Sequence, residues 1–501
     1  MLRLVAVDAG TTSVRALATD LDGRVVDVAQ RELTQHFPAP GWVEHDAGEI
    51  LALVDETLEE LAFRVHLAGD DVAVIGITNQ RETTVAVDRA DGRVLAPAIV
   101  WQDRRTAPAC AELRDRGLEP LIRARTGLTL DPYFSATKMR WLLDSGLLDD
   151  AQDLGLCTID SLVCWHLTGG PEGGVFATDA SNASRTMLYD LDAAGWSDEL
   201  CGLLGVPRGA LAELHPSCGV LGRLPEELVP GLGGVVVAGI LGDQQAALFG
   251  QRCTARGMVK ATFGTGAFLL ANAGEVRPHD VDGLVTTVAW DLGAHGPATF
   301  ALEGAAFVAG AAIQWYRDEL GLASSSREVG RLARSVEDAN GAIFVPALTG
   351  LGSPWWDPDA RGTLMGLSRG VTRAHVARAV VDSLGFQGRA MLDAMREGGE
   401  ALAELRVDGG ASTMDPLCQS LADGARLVVR RPRSVEATAV GAATVAGLAV
   451  GAVTLEGLDE AWEADARFDP QIAPALDAAY DAWLDAVRRV RALAAQPLRA
   501  T

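Results

Sequence analysis

The sequence predicts an α/β protein made of two similar domains with a cleft between them. At 501 residues the chain is too long for a single hydrophobic core, so two or more domains are expected. A strand, a turn rich in Gly and Thr and a second strand occur at residues 2–19 and again at 258–271. A third glycine turn, at residues 408–412, follows another apolar strand. The repeated pattern predicts an internal duplication.

The first repeated turn is Asp8–Ser13, and the second is Phe263–Ala267. Gly permits close approach of the backbone to a phosphate, Thr and Ser supply hydroxyls, and an Asp at a strand end can hold Mg²⁺ through water. Together the turns predict an ATPase whose nucleotide lies in the cleft and is held mainly by backbone N–H groups. For either turn alone, a polar hairpin turn without a ligand is the alternative.

Charge and cysteine usage restrict the classes of partner and compartment. The formal net charge of −24 opposes binding to nucleic acid or to an anionic membrane surface. A substrate phosphate must therefore be held by local backbone groups or by a metal. The seven cysteines are scattered without a CxxC pair, so neither a disulfide framework nor structural zinc is expected. The N-terminus enters a strand without a signal segment, and we expect a reducing, cytoplasmic compartment.

Apolar spacing predicts helices at several places in the chain. Asp46 and Glu49 resemble a capping box, and the apolar residues that follow them predict a helix over 50–65. Another helix is predicted over 113–126. The charge-free run Ala437–Leu455 is nearly long enough to cross a bilayer. It consists mostly of Ala, Gly and Val, which favours a helix buried inside the protein.

Two strand ends carry candidate site residues. The strand predicted over 72–78 is followed by Arg81 and Glu82, an adjacent donor and acceptor of the kind that a sugar hydroxyl needs. Out of context, a solvated surface ion pair is the favoured interpretation. The apolar run 235–240 leads to Asp243 and delivers it to the mouth of a sheet, where ligands bind in open α/β sheets. Our hypothesis is that Asp243 is the general base of a kinase acting on a small polyol; the alternative is a turn Asp that caps the next helix.

Absent motifs narrow the class of kinase. Lys138 and Lys260 are the only lysines, and neither follows a glycine, so a Walker A loop is excluded. Protein-kinase motifs and a complete GxGxxG are also absent from the sequence. A kinase with this sequence therefore belongs to neither of those types.

With these residues in view, the chain resembles the FGGY carbohydrate kinases, and among them it looks like the glycerol kinases. The Arg-Glu-Thr-Thr, Trp-Gln-Asp-Arg-Arg-Thr and Asp-Pro-Tyr-Phe-Ser stretches point to glycerol kinases rather than to sugar kinases generally. The resemblance runs from end to end and is carried by the motifs Asp8–Ser13, Thr78–Thr84, Trp101–Thr106, Asp131–Lys138, Ser181–Met187, Gly242–Gly250, Phe263–Phe268, Phe344–Gly352 and Val407–Ala411.

The resemblance implies two actin-like (ribonuclease-H-like) α/β domains that close on MgATP and glycerol. Residues 1–250 would bind the polyol and supply the catalytic base, and residues 251–501 would bind the nucleotide. The implied activity is ATP-dependent phosphorylation of glycerol to sn-glycerol 3-phosphate in glycerol catabolism, with Asp243 as general base. A homodimer or homotetramer is implied as well.

The resemblance also implies individual roles. Trp101 and Phe268 would pack against the carbon chain of glycerol, and Asp8 and Asp243 would position Mg²⁺. The implied glycerol-binding residues are Arg81, Glu82, Trp101, Tyr133, Asp243, Gln244 and Phe268. The implied nucleotide-binding residues are Thr11, Thr12, Ser13, Arg15, Thr265, Gly266, Gly310, Gln314, Gly410 and Met414.

One of the departures from the family pattern follows the third glycine turn. After Asp408-Gly409-Gly410 the family usually places an Asn near the adenine, and Met414 stands at that position here, which puts nucleotide affinity or base preference in question. Two other functions stay open: an FGGY kinase for another polyol or ketose, and a non-catalytic nucleotide-binding paralogue. An actin-like ATPase that assembles or chaperones is a further alternative, against which the polyol-type residues argue.

Overall fold

Each half of the chain contributes one large mixed sheet and the helices that cover it. The computed structural model describes residues 2–434, 436–457 and 462–494, so the end of the predicted second domain, 495–501, lies outside the described residues. The strands up to Gly250 are β1 (Arg3–Ala9), β2 (Ser13–Thr19), β3 (Val25–Glu32), β4 (Glu44–His45), β5 (Val72–Asn79), β6 (Thr84–Asp88), β7 (Ala98–Ile99), β8 (Leu154–Thr158), β9 (Ala177–Asp179), β10 (Tyr189–Asp190), β11 (Gly195–Trp196), β12 (Glu213–His215), β13 (Val220–Arg223) and β14 (Val236–Gly242). The helices of this part are α1 (Ala47–Arg64), α2 (Ala107–Asp115), α3 (Glu119–Thr126), α4 (Ser135–Asp144), α5 (Ile159–Leu167), α6 (Ala180–Ala183), α7 (Asp198–Leu204) and α8 (Asp243–Gly250).

The second half begins after α8 and has its own strands and helices. Its strands are β15 (Met258–Phe263), β16 (Ala267–Gly274), β17 (Val285–Trp290), β18 (Thr299–Ala306), β19 (Ile343–Val345), β20 (Thr363–Met365), β21 (Glu404–Asp408), β22 (Val429–Pro432) and β23 (Ala464–Phe468). Its helices are α9 (Gly310–Gln314), α10 (Ser326–Arg334), α11 (Arg373–Glu397), α12 (Asp415–Ala425), α13 (Ala437–Ala449) and α14 (Pro474–Ala494). All seven cysteines of the chain are buried as free thiols.

The two large sheets share one topology. In the first, the order is β13-β14-β5-β1-β2-β3; β1, β2 and β3 are antiparallel, and β5 and β14 lie on the other side of β1 with parallel pairing. In the second, the order is β17-β18-β16-β15-β21-β22-β23; β15, β16 and β18 are antiparallel, and β21 and β22 continue from β15 in parallel. The predicted duplication is therefore confirmed, and both Gly/Thr turns connect the first two strands of a sheet.

The local predictions agree with the structure at most elements and fail at one. The side chain of Asp46 accepts hydrogen bonds from the backbone of Gly48 and Glu49 and starts α1, as the capping pattern predicts. The single helix predicted over 113–126 is wrong, because the chain forms α2 and α3 there. The break falls at Gly117, whose φ of 73° is outside the right-handed helical range, and Pro120 follows in the first turn of α3.

The small-residue helix α13 joins the two halves. Although it follows β22 in sequence, it packs on β1, β5 and β14 of the first sheet and against α8. Its Ala side chains meet Leu4, Leu17 and Val74 in a shared apolar cluster. The buried helix predicted for this run is confirmed, although it ends at Ala449. No helix in the described parts of the chain is long and apolar enough to cross a membrane.

Two glycines allow α13 and α8 to touch through their backbones. A Cβ atom added to Gly441 would lie 1.9 Å from the carbonyl oxygen of Ala246, and one added to Gly250 would lie 2.0 Å from the carbonyl oxygen of Ala437. Both distances are far below van der Waals contact, and the opposing atoms are backbone. The small residues of α13 are thus required by the contact between the halves.

We expect Gly441→Ala to destabilise the protein by about 1–3 kcal/mol, because the methyl group must push α13 away from α8. Gly202→Ala is the matched control, since Gly202 is also helical and has nothing within 4 Å of an added Cβ. That variant should be neutral or slightly more stable, because Ala is the better helix former. Thermal unfolding of both variants beside the wild type checks the prediction, and equal midpoints would contradict it.

Candidate active site

The candidate acceptor residues come from the ends of two neighbouring parallel strands. Gly242 at the end of β14 pairs with Asn79 at the end of β5, so the residues that follow emerge side by side. Nε of Arg81 lies 3.3 Å from Oδ1 of Asp243. Gly242 must be glycine here, because an added Cβ would lie 2.7 Å from Cγ and Cδ of Arg81. The strand order thus brings a cation and the candidate base together.

Arg81 is the centre of a buried hydrogen-bond network. Its Nη1 donates to Oε2 of Glu303 at 2.6 Å and to Oε1 of Gln245 at 3.1 Å. Its Nη2 donates to Oε1 of Glu303 at 3.1 Å and to the hydroxyl of Tyr133 at 3.3 Å. A guanidinium is well suited to the centre of such a network, because its five N–H donors lie in one rigid plane. Once two of its edges are hydrogen-bonded, the direction of the group is fixed.

The surface ion pair favoured for Arg81 and Glu82 out of context is wrong. Both residues are only 2% exposed, and Nε of Arg81 is 3.9 Å from Oε1 of Glu82. The closer partner of Glu82 is Arg185, whose Nε donates to Oε1 at 2.7 Å. Glu303 of β18, in the second sheet, lies over the end of β5 and hydrogen-bonds Arg81 there.

Glu82 also has an unusual backbone conformation. Its φ is 60°, in the left-handed region that costs free energy for a side chain with a Cβ. Burial raises the pKa of Glu82, and the guanidiniums of Arg81 and Arg185 oppose that rise. Strained backbone and a buried carboxyl group at one residue are typical of a site that binds a ligand.

Glu303 and Arg185 complete the charged cluster. Burial alone would raise the pKa of Glu303, but Arg185 and Arg81 hold it below its ordinary value. Arg185 donates from Nη2 to Oε1 of Glu303 at 2.8 Å, and its guanidinium lies 5.6 Å from the ring centre of Tyr133. Its Nη1 is buried without a hydrogen-bond partner among the described residues. The cluster therefore connects residues of both halves.

Asp243 is the most accessible carboxylate of this group. Its side chain is 28% exposed, whereas those of Glu82 and Glu303 are buried. Its Oδ1 accepts the backbone N–H of Gln244 at 2.7 Å, and its Oδ2 accepts from Nε2 of the same residue at 3.2 Å. Nζ of Lys260 donates to Oε1 of Gln244, and burial lowers the pKa of Lys260 to about 8. A second-half residue thus also orients Gln244.

Aromatic rings close one side of the pocket. The ring of Trp101 stands edge-on to Tyr133 and Phe268, with centroid distances of 5.6 and 5.9 Å. Its Nε1 donates to Oγ1 of Thr11 at 2.9 Å, which links the pocket to the first Gly/Thr turn. Lys138 holds the loop of Tyr133 by donating to its carbonyl oxygen at 2.6 Å. Contacts therefore connect all the predicted glycerol-binding side chains.

A cavity of about 480 Å³ in the second half gathers predicted nucleotide residues. Its walls include the predicted residues Thr265, Gly310, Gln314, Gly410 and Met414. Met414 is buried at the cavity wall, where a Cβ added to Gly330 would lie 3.2 Å from its Cγ. Gly266 lies beside this cavity in the turn of Thr265, and it is buried rather than part of the lining. The wall of the cavity thus includes the thioether of Met414.

The first Gly/Thr turn carries the other predicted nucleotide residues. Ser13 is buried in this turn, and Thr12 is exposed. Nη1 of Arg15 donates to Oε2 of Glu436 at 3.0 Å and lies 4.0 Å from Oδ2 of Asp8. Arg15 is therefore paired with a carboxylate of the second half, and its predicted contact with phosphate stays a prediction.

The carboxylates of Asp8 and Asp243 are ligands of the kind that the predicted Mg²⁺ requires. Burial raises the pKa of Asp8 to about 6, and the nearby Asp243 adds to the rise while Arg15 opposes it. In the described parts of the chain, no cluster of three or more His, Cys, Asp or Glu side chains could hold a metal ion. Mg²⁺ is commonly held by one or two carboxylates together with substrate phosphates and water. Asp8 and Asp243 match that requirement.

Sequence reasoning missed four residues of the site. Arg185 and Gln245 lie within the motifs Ser181–Met187 and Gly242–Gly250, so those motifs contained a usable signal. Glu303 is a single charge inside an apolar strand, and Lys260 is one of only two lysines. An isolated charge in a buried strand is expensive unless it is paired, which makes it a candidate site residue.

Comparison with known proteins shows the family and the fold of this chain. The N-terminal domain model of the FGGY family of carbohydrate kinases matches residues 3–250, and the C-terminal domain model matches residues 259–450. Glycerol kinases of Aromatoleum aromaticum and Thermus brockianus are 48% and 49% identical over 499 residues, covering 98% of this chain and 99% of each relative. The crystal structure of Plasmodium falciparum glycerol kinase with ADP superposes with a TM-score of 0.90 at 30% identity, covering 98% of both chains. Because the two family models cover most of its length, the chain belongs to the FGGY family of carbohydrate kinases.

Proposed function

We propose that this chain transfers the γ-phosphoryl group of ATP to glycerol and forms sn-glycerol 3-phosphate. The relatives named glycerol kinase match it over nearly its whole length, and the solved glycerol kinase with ADP has the same fold. The observation that carries the proposal is the convergence of Arg81, Glu82, Tyr133, Asp243 and Gln244 at the ends of β5 and β14.

The pocket has the chemistry that a small neutral polyol requires. Arg81 can donate to a hydroxyl and Glu82 can accept from one, while Trp101 and Phe268 offer apolar rings to the carbon chain. A site built to hydrogen-bond hydroxyls rejects analogues that lack them, because its own buried polar groups would stay unpaired. Selectivity for glycerol would follow from these contacts.

Asp243 would act as the general base. Its accessible carboxylate would accept the proton of the attacking hydroxyl while the new oxygen–phosphorus bond forms and the bond to the leaving ADP oxygen breaks. Phosphoryl transfer asks little covalent chemistry of the protein, so the other residues act by positioning the reactants and neutralising charge.

The nucleotide would lie between the two Gly/Thr turns. Thr12 and Arg15 would face the phosphates from the first half, and Thr265 and Gly266 would face them from the second. Met414 would offer the base an apolar surface without the donor and acceptor of an amide. Mg²⁺, when held by Asp8 and Asp243, would neutralise charge on the phosphates. The remaining nucleotide contacts of the proposal are Thr11, Ser13, Gly310, Gln314 and Gly410.

The proposal includes the wider organisation of the enzyme. The chain would divide near residue 250 into a polyol-binding domain, 1–250, and a nucleotide-binding domain, 251–501. It would act in glycerol catabolism in the cytoplasm as a homodimer or homotetramer. These statements stay predictions.

A kinase for another polyol or ketose is the alternative to be tested. We expect purified protein with MgATP to release ADP fastest with glycerol, because the hydroxyl-binding set includes Arg81, Glu82 and Tyr133. Dihydroxyacetone, xylulose, ribulose, erythritol and a reaction without acceptor are measured beside it. Preference for another acceptor would overturn the substrate, and ATP binding without turnover would favour a non-catalytic paralogue.

Asp243→Asn is expected to lower kcat by a factor on the order of 10²–10⁴, the usual contribution of a general base. The amide keeps a hydrogen-bond acceptor for the backbone of Gln244 but cannot take a proton. Asp291→Asn is the control, because Asp291 also accepts a backbone N–H, that of Gly293 at 2.9 Å. Steady-state ADP release measures both variants, and near wild-type kcat for Asp243→Asn would refute the role.

Tyr133→Phe is expected to raise KM for glycerol roughly 3- to 10-fold, the effect of one lost hydrogen bond that leaves a guanidinium N–H of Arg81 without its acceptor. Tyr316→Phe is the matched control, because its buried hydroxyl donates to the carbonyl oxygen of Arg373 at 2.7 Å, in the second half. Initial rates against glycerol concentration distinguish them. Equal KM values for the two variants would argue against a role of Tyr133 at the acceptor.

A further inference from the structure

Glu303 reaches the acceptor pocket from the opposite half of the protein. It lies in β18 of the second sheet, whereas Arg81 and Arg185 belong to the first half. Its carboxylate is fully buried and binds both guanidiniums, Arg81 through two hydrogen bonds of 2.6 and 3.1 Å and Arg185 through one of 2.8 Å. No other carboxylate among the described site residues contacts both arginines at hydrogen-bond distance.

A contribution to the folding stability of the protein does not by itself explain why these charged side chains are buried together. Taking charged groups out of water is costly, and a buried ion pair often stabilises a protein no more than apolar residues of the same volume. What a bidentate pair supplies in addition is direction, because a carboxylate that binds two N–H groups fixes the plane of the guanidinium. The geometry of Glu303 therefore suits an orienting role.

The bonds of Glu303 determine where Arg81 points its remaining donor. Nη1 and Nη2 of Arg81 are both engaged by Glu303, and its Nε then faces Oδ1 of Asp243 at 3.3 Å. Without Glu303, the long side chain could rotate about its flexible stem, and Gln245 and Tyr133 would each hold only one N–H. The direction of Arg81 depends on the second half of the chain.

The same carboxylate also fixes Glu82 indirectly. Glu303 binds Nη2 of Arg185, and Nε of Arg185 donates to Oε1 of Glu82 at 2.7 Å. One carboxylate thus holds the donor Arg81 directly and the acceptor Glu82 through Arg185. Both are among the side chains that the proposed function assigns to hydroxyls of glycerol.

We propose that Glu303 is a positioning residue for the phosphoryl acceptor, which completes the polyol site of the first half from the second half. This inference rests on the proposed function, because it concerns the acceptor of that reaction. With Phe268 and Glu303 both in the second half, the polyol site is shared between the halves rather than confined to residues 1–250.

The test compares Glu303→Gln and Glu303→Asp with a matched control. We expect Glu303→Gln to raise KM for the preferred acceptor on the order of 10- to 100-fold, because a misplaced positioning group costs that much. KM for MgATP should change by less than about 2-fold, since Glu303 contacts no predicted nucleotide residue. Glu400→Gln is the control, because Glu400 is buried in the second half and binds Arg256 through both oxygens.

A purely structural role predicts a different pattern. Both Gln variants would then lower the unfolding temperature, and both would leave the acceptor KM within about 2-fold of wild type. Glu303→Asp covers the case in which Glu303→Gln does not fold, because it keeps the charge but is too short to hold both guanidiniums at once. A folded Glu303→Asp protein with wild-type acceptor KM would overturn the inference.

A double-mutant cycle tests whether Glu303 acts through Arg81. In an Arg81→Gln background, Glu303→Gln should lower kcat/KM for the acceptor by a smaller factor than it does in the wild type, because one of the two groups that it orients is gone. Effects of the two substitutions that multiply independently would overturn the inference.

The acceptor in all assays is the compound that the wild type turns over fastest. If that compound is not glycerol, the proposed substrate is overturned, but the test of Glu303 can still be carried out. A wild type that turns over no acceptor would overturn both.

Discussion

Charge burial at the meeting point of the two sheets is the constraint on which the rest of the structure depends. Arg81, Glu82, Arg185 and Glu303 are all buried, and each is acceptable there only because the others are present. Glu303 comes from the second half of the chain, and the two arginines that it binds come from the first. The halves must therefore approach in one register, and that register also places Asp243 beside Arg81.

Contacts of small residues make that approach possible. The helix α13 follows β22 of the second sheet but packs against the first, and its glycines let it touch the backbone of α8. Since α8 begins at Asp243, the same contact supports the element that carries the candidate base. Lys260 adds a polar link between the halves by donating to Gln244, the next residue of that helix. The contacts that hold the two halves together thus also position the residues of the candidate site.

Sequence reasoning succeeded where the signal was local. The strands on either side of Asp8–Ser13, the helix capped by Asp46 and the buried small-residue helix all follow from hydrophobic periodicity and turn chemistry. It failed over 113–126, where one continuous helix was predicted across Gly117. The chain turns at that glycine and enters a second helix with Pro120 in its first turn, a local signal that the prediction did not use.

The features of the candidate site also fall into two groups, those that the sequence predicted and those that only the tertiary structure revealed. By itself, the sequence determined the duplicated α/β fold, the Gly/Thr turns and the family motifs, because short segments of the chain encode each of them, whereas the roles of individual motif residues stay predictions. Only the tertiary structure decided that Arg81 and Glu82 are buried rather than solvated, and that Glu303, Arg185 and Lys260 belong to the same pocket. The physical reason is that burial and charge pairing depend on which strands become neighbours, and Glu303 is separated from Arg81 by 222 residues of sequence.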